Sequence, residues 1–106
     1  MINPIFIALG DPKRRRMLEI LKHGQRTAGD LSSLFEISAS AVSQHLKVLL
    51  EAKLVGVEKR KNSRIYYLRK EGFDNLQQYL GQFWDDHLGM LKHLAEAEER
   101  RKERER

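Results

Sequence analysis

The sequence predicts a mainly α-helical protein that carries one small β-hairpin. Three observations predict it. Apolar residues recur at helical spacing in four successive short stretches of the first half. After Leu54 the composition turns β-branched and aromatic, in VGVEKR and RIYYLR, on either side of the polar Lys61-Asn62-Ser63. From about Glu71 the helical period returns and holds past residue 95. At 106 residues the chain is expected to form one domain over residues 1–95, with 96–106 as a charged tail.

Ile2, Ile5, Phe6 and Leu9 open the chain with a short amphipathic helix. Asp11 can cap the next helix and Pro12 suits its first position. That helix runs to about Lys22 with Met17, Leu18, Ile20 and Leu21 on its apolar side, and Gly24 ends it. Thr27 with Asp30 three residues on reads as a capping box for a helix from Ala28 to Phe35, with Leu31, Leu34 and Phe35 inward. Glu36 and Ile37 turn the chain, and Ser38 caps a fourth helix, SASAVSQHLKVLLEA. Ala39, Val42, Leu46, Leu49 and Leu50 line its apolar side. Two short helices joined by a tight turn form a helix-turn-helix pattern. The hairpin that follows is too small to stand alone, so it must lean on the helices as a wing. In the last helix Phe73, Leu76, Leu80, Phe83, Leu91 and Leu94 form one stripe. Trp84, His87, Leu88 and Met90 widen it, and Gly81 and Gly89 weaken the helix locally. That face exceeds what a small domain needs for itself, and a second copy of the chain is its simplest partner.

The polar side of residues 38–52 carries Ser40, Ala41, Ser43, Gln44 and Lys47, and no acidic residue occurs between Ser38 and Leu50 in a chain that has 15 of them. A helix lying in the DNA major groove needs compact donors and acceptors near its N-terminus. Serine pairs with several base edges, glutamine bidentately with adenine, and lysine with guanine or phosphate. Glutamate would be repelled by the phosphates. Serine and glutamine on an ordinary solvated face are the bland alternative. His45, beside the apolar stripe, reads as a packing or backbone-bonding histidine.

The net charge is +5, and the excess is patchy. Lys13, Arg14, Arg15 and Arg16 form one block, and residues 53–70 hold seven basic side chains against the single acid Glu58. Such patches point to a polyanion, double-stranded DNA first. Lys61, Asn62, Ser63 and Arg64 at the wing tip, with Arg15, are the candidate phosphate contacts, which position a protein rather than read sequence. For Arg14–Arg16 surface solvation is the equal alternative. The chain has no cysteine, which excludes disulfides and thiolate metal sites. No apolar run approaches a membrane span, and a cytoplasmic protein is expected.

ALGDPKRRRMLEIL, TAGDLSSLFEISASAVSQHLKVLLEAKLV and KRKNSRIYYL, in that order, resemble the ArsR/SmtB family of winged-helix repressors over about residues 4–70. The resemblance implies a winged helix-turn-helix of order α-α-α-α-β-β-α. It also implies a homodimer through the first and last helices and binding to an inverted-repeat operator, often the protein's own. The interface would then use Ile2, Ile5, Phe6, Phe73, Leu76, Leu80, Phe83, Trp84, His87 and Leu91. Many relatives sense metals through a CxC pair. The matching positions here are Thr27 and Gly29, which cannot bind a thiophilic metal. Asp85-x-His87 and His93-x-x-Glu96 are zinc-type ligands, yet the two histidines lie about 240° apart around a helix. No metal or other cofactor is therefore expected.

The expected function is a DNA-binding homodimeric repressor, with its effector, small molecule or protein, left open. A winged-helix module that binds protein without reading DNA is the alternative, and fold alone does not separate the two. An enzyme is not expected, because no glycine-rich phosphate loop or nucleophile–base motif is present.

Overall fold

The computed structural model describes residues 2–84 and 87–104, without side chains for residues 87–93. The elements run in the order α1 (Asn3–Leu9), α2 (Pro12–Lys22), β1 (Arg26–Thr27), α3 (Ala28–Leu34), α4 (Ala39–Glu51), β2 (Val55–Arg60), β3 (Ser63–Leu68), α5 (Lys70–Gly81) and α6 (His87–Arg104). The chain divides into two compact units, one ending at Leu76 and one beginning at Gln77.

Local chemistry sets the helix starts. The Asp11 carboxylate accepts from the backbone N–H groups of Lys13 and Arg14, satisfying two donors that the helix cannot pair. Thr27 and Asp30 form a reciprocal capping box, each side chain accepting the other's backbone N–H. Ser38 Oγ accepts from the N–H of Ala41 at 3.1 Å. At the far end of α4, Leu54 N–H bonds the Leu49 carbonyl and Lys53 N–H bonds that of Leu50. This is a Schellman ending, with Lys53 at φ 59° where glycine is usual. Leu49 and Leu54, the hydrophobic pair of that motif, are both fully buried.

The core lies within the first unit. Ile5 and Ala8 of α1, Met17, Leu18 and Leu21 of α2, Leu31 of α3, and Val42, Leu46 and Leu49 of α4 pack with Leu54, Val55 and Tyr66. Each fully buried large side chain among them contributes about 1.5–3 kcal/mol. Phe73 and Leu76 pack against this cluster from α5.

The sheet is antiparallel with strand order β1-β3-β2. Val55 pairs with Leu68, Val57 with Tyr66 and Arg60 with Ser63, so Lys61 and Asn62 form a two-residue turn, with Lys61 at φ 52°. The third strand, β1, lay outside the expectation. Its two residues pair with Tyr66 and Ile65, anchoring the hairpin to the entrance of α3.

Other differences have local causes. The expected single last helix is two elements, because α5 ends at Gly81 and a turn occupies residues 82–84 before α6. The charged tail, expected as either a solvated helix extension or a frayed end, continues α6 as far as Arg104. Leu34, expected inward, is 60% exposed. The helix stops there and Phe35 turns to extended backbone, packing against the core instead. Ala39 is likewise exposed, at the first turn of α4. Ile5 is 1% exposed, so it serves the protomer's own core and is withdrawn from the surfaces open to a second chain.

Candidate nucleic-acid interface

Helix α4 presents its two faces as its period dictates. Val42, Leu46 and Leu49 are buried, while Ser40, Ser43, Gln44 and Lys47 are exposed and their side chains make no hydrogen bond or ion pair among the described residues. Ala41 is half-buried between them. The wing tip carries Lys61, Asn62, Ser63 and Arg64, all exposed, and neither Lys61 nor Arg64 has an acidic partner among the described residues. Register places Lys59 directly opposite Arg64, adding a third cation at the tip. Helix and wing meet at an open cleft of about 490 Å3, lined by Ser43, Asn62, Ser63, Arg64, Tyr66 and the Thr27–Gly29 segment. Four of the residues singled out from the sequence are thereby brought to one concavity.

The basic block of α2 divides into three separate roles. Arg14 is turned inward, its side chain 14% exposed. Its guanidinium donates to the carbonyls of Ala8 at 2.9 Å and Ile7 at 2.8 Å, and its Nη1 lies 3.2 Å from His45 Nδ1. Guanidinium has only donors, so Nδ1 accepts. His45 is thus half-buried as expected, but its partner is a side chain of α2 rather than backbone. Arg15 donates to the Leu9 carbonyl at 2.7 Å and is exposed, so its guanidinium already caps the end of α1. Arg16 pairs with Glu19 on the same surface.

The helix caps carry a pH signature. Desolvation works to raise the Asp11 carboxyl, but the N–H groups of Lys13 and Arg14 and the charge of Arg14 outweigh it and hold it below the ordinary aspartate value of 3.8. Asp30 is also held low, by its bonds to the Thr27 backbone and side chain. Both carboxyls bind protons more weakly in the folded state than in the unfolded one. Their stabilisation is therefore complete above about pH 4 and is lost as pH falls through the folded values. Thermal unfolding followed from pH 7 down to about 2.5 should show a falling midpoint below pH 4, and Asp11→Asn, a cap that does not titrate, should flatten that limb.

Of the predicted interface residues, Phe6 of α1 and Leu80 and Phe83 in the second unit are exposed, and Trp84 is exposed beside them in sequence. Ile2, Phe73 and Leu76 are half-buried against the protomer's core. His87 and Leu91 lie outside the described side chains, as do Asp85 and His93 of the histidine–carboxylate pairs. No cluster of metal-ligating side chains occurs among the described residues.

Residues 11–57, from the cap of α2 into β2, match the arsR family of bacterial regulatory proteins. The chain is 42% identical over 66 residues to the transcriptional repressor SdpR of Bacillus subtilis, covering 62% of this chain and 72% of that one. The chain belongs to the arsR family. This arsR-family protein is also 38% identical to the HTH-type transcriptional regulator Rv2034 of Mycobacterium tuberculosis, over 86% of this chain and 85% of that one. Among solved structures it is similar to an ArsR-like transcriptional regulator from Rhodococcus sp. RHA1, with TM-score 0.71, 26% identity and 91% of both chains covered. It is similar too to HlyU from Vibrio cholerae, with TM-score 0.62, 28% identity, and 78% of this chain and 90% of that one covered. The winged-helix architecture is that of the family, and the protein is a transcriptional regulator, not an enzyme. None of its described helices is long and apolar enough to cross a membrane.

Proposed function

We propose that this arsR-family regulator is a cytoplasmic homodimeric repressor that binds an inverted-repeat operator, with α4 in the major groove and the wing on the flanking backbone. The observation that carries it is the shared cleft, which sets Ser43 of the polar face of α4 beside Asn62, Ser63 and Arg64 of the wing tip. Ser40, Ser43, Gln44 and Lys47 act as readers, and Lys61, Asn62, Ser63 and Arg64 as backbone contacts. Arg15 joins the second group only by giving up its bond to Leu9. A repressing rather than activating role is supported by the kinship with SdpR. Phe6 of the first unit and, separately, Leu80, Phe83 and Trp84 of the second are the exposed apolar residues offered to the second copy, and dimerisation would set two copies of α4 about 34 Å apart, one DNA turn.

Fluorescence anisotropy on the protein's own upstream DNA, with excess competitor and at several salt concentrations, tests this function. Competitor-resistant, salt-sensitive binding indifferent to chelator is expected, together with a dimer by sedimentation. Binding abolished by competitor, on this DNA and on sequences selected from a random pool, would reject operator recognition. Ser43→Ala and Gln44→Ala should each lower discrimination by about 1–3 kcal/mol with little change on random duplex. Equal losses on both DNAs would remove them as readers. Arg64→Ala should weaken binding to every sequence and reduce the salt slope by about one.

A further inference from the structure

Tyr66 is the unusual residue of the cleft. Its ring belongs to the core cluster and the residue is only 7% exposed. It also lines the cleft, and its hydroxyl has no hydrogen-bond partner among the described residues while remaining open to solvent. The ring is buried while the hydroxyl faces solvent, so a ligand group entering the cleft can take the place of water on it. Arg64, Ser43, Ser63, Asn62 and Thr27 line the same cleft, and no acidic residue is among its lining residues. Every polar side chain lining the cleft can donate, and its one charge is positive.

We propose, building on the DNA-binding function above, that this cleft is a phosphate-binding site in which the Tyr66 hydroxyl and the Arg64 guanidinium hold one phosphate group, borne by the DNA backbone or by a free nucleotide. Hydroxyl and amide side chains beside a single guanidinium, with no acidic residue in the lining, suit an oxyanion such as phosphate. Arg64 supplies the planar fork that phosphate oxygens match. The cleft is far larger than a bare phosphate and falls within the range of about 300–1,000 Å3 that small-molecule sites occupy. Ser43 belongs to both the cleft and the reading face of α4, so a phosphate seated here fixes the depth at which that helix meets the bases.

Tyr66 and Arg64 differ in a measurable way. A neutral hydroxyl bonds a phosphate without releasing a counterion, whereas a neutralising arginine releases one. Tyr66→Phe keeps the ring in the core and removes only the hydroxyl. Anisotropy of this variant on the upstream DNA and on a random duplex should show affinity about tenfold weaker on both, as for one hydrogen bond to a charged group, with the salt slope unchanged. Calorimetric titration of the full chain with inorganic phosphate and with dAMP distinguishes the source. A tenfold loss for dAMP in Tyr66→Phe, with DNA binding intact, would assign the site to a free nucleotide. Equal binding by wild type and variant to both DNAs, to phosphate and to dAMP would overturn the proposal. A fall in Tm large enough to explain the binding loss would also overturn it, because an unpartnered hydroxyl contributes nothing to folding. A wild-type protein that binds no DNA would reject the repressor function and leave the cleft to the dAMP titration, where absence of binding again overturns it.

Discussion

Arg14→Ala is expected to lower the unfolding free energy by about 3 kcal/mol and the Tm by roughly 15 °C, with little effect on the salt dependence of DNA binding. The guanidinium joins three elements through one side chain. It satisfies the carbonyls of Ile7 and Ala8 at the end of α1, extends from the first turn of α2, and reaches His45 in the middle of α4. Truncation leaves the Ala8 carbonyl and an imidazole nitrogen without this donor, leaves the Ile7 carbonyl with the Gly10 N–H alone, and removes a stem packed between the helices. Arg14→Lys should recover part of the loss, since an ammonium reaches one acceptor but has no fork to span three. Denaturation at fixed protein concentration measures the effect, because a dimer's midpoint depends on concentration. A phosphate role would produce the opposite pattern, with Tm unchanged, the salt slope reduced by about one and Lys nearly as good as Arg.

The position of Arg14 also marks the limit of what could be read from the sequence. Features set by near neighbours were legible. The caps at Asp11, Thr27–Asp30 and Ser38 depend on a side chain and a backbone group two or three residues away, and spacing alone reveals them. The two faces of α4 follow from helical period, and the hairpin from its change at Val55. Features set by distant partners were not legible. Arg14, Arg15 and Arg16 are adjacent and chemically identical, yet one is inward, one caps α1 and one pairs with Glu19, because each points about 100° further around the helix. Strand β1 is two residues long and exists only because β3 lies beside it. Helix propensity likewise misjudged the last helix. Gly81 was visible as a local weakness of about 1 kcal/mol, but whether a helix ends at such a point depends on what its neighbours pack against. The cleft lay hidden in the same way. Ser43, Asn62, Ser63 and Arg64 were each singled out, while Tyr66, which lines the cleft with them, read only as one aromatic of a strand.

Gly72→Ala is expected to destabilise the protein by about 2–3 kcal/mol, although alanine is the better helix former. Gly72 lies in the first turn of α5, where its N–H donates to the Lys53 carbonyl at 2.8 Å. A β-carbon there would stand 2.6 Å from that same carbonyl oxygen and 2.7 Å from the Ala52 oxygen. Both obstacles are backbone, and both belong to the Schellman ending of α4, which cannot swing aside as a flexible side chain would. The Arg69 N–H is bonded to the Leu54 carbonyl at 2.9 Å beside it, so the corner is held from two directions. An alanine must push α5 off this corner, break its N–H bond and lift Phe73 and Leu76 from the core they pack against. Because α5 continues into residues proposed for the dimer interface, Gly72→Ala should also weaken dimerisation, measured by sedimentation equilibrium alongside denaturation. Gly29→Ala is the control. Its β-carbon meets nothing closer than Thr27 Oγ1 at 3.7 Å, and the change lies inside α3. It should stabilise by about 0.5–1 kcal/mol through helix propensity and the reduced freedom of the unfolded chain. Opposite signs for one substitution at two helical glycines would place the effect in the contact between α5 and the end of α4. Equal signs would mean that α5 rests on the core through its apolar side chains alone.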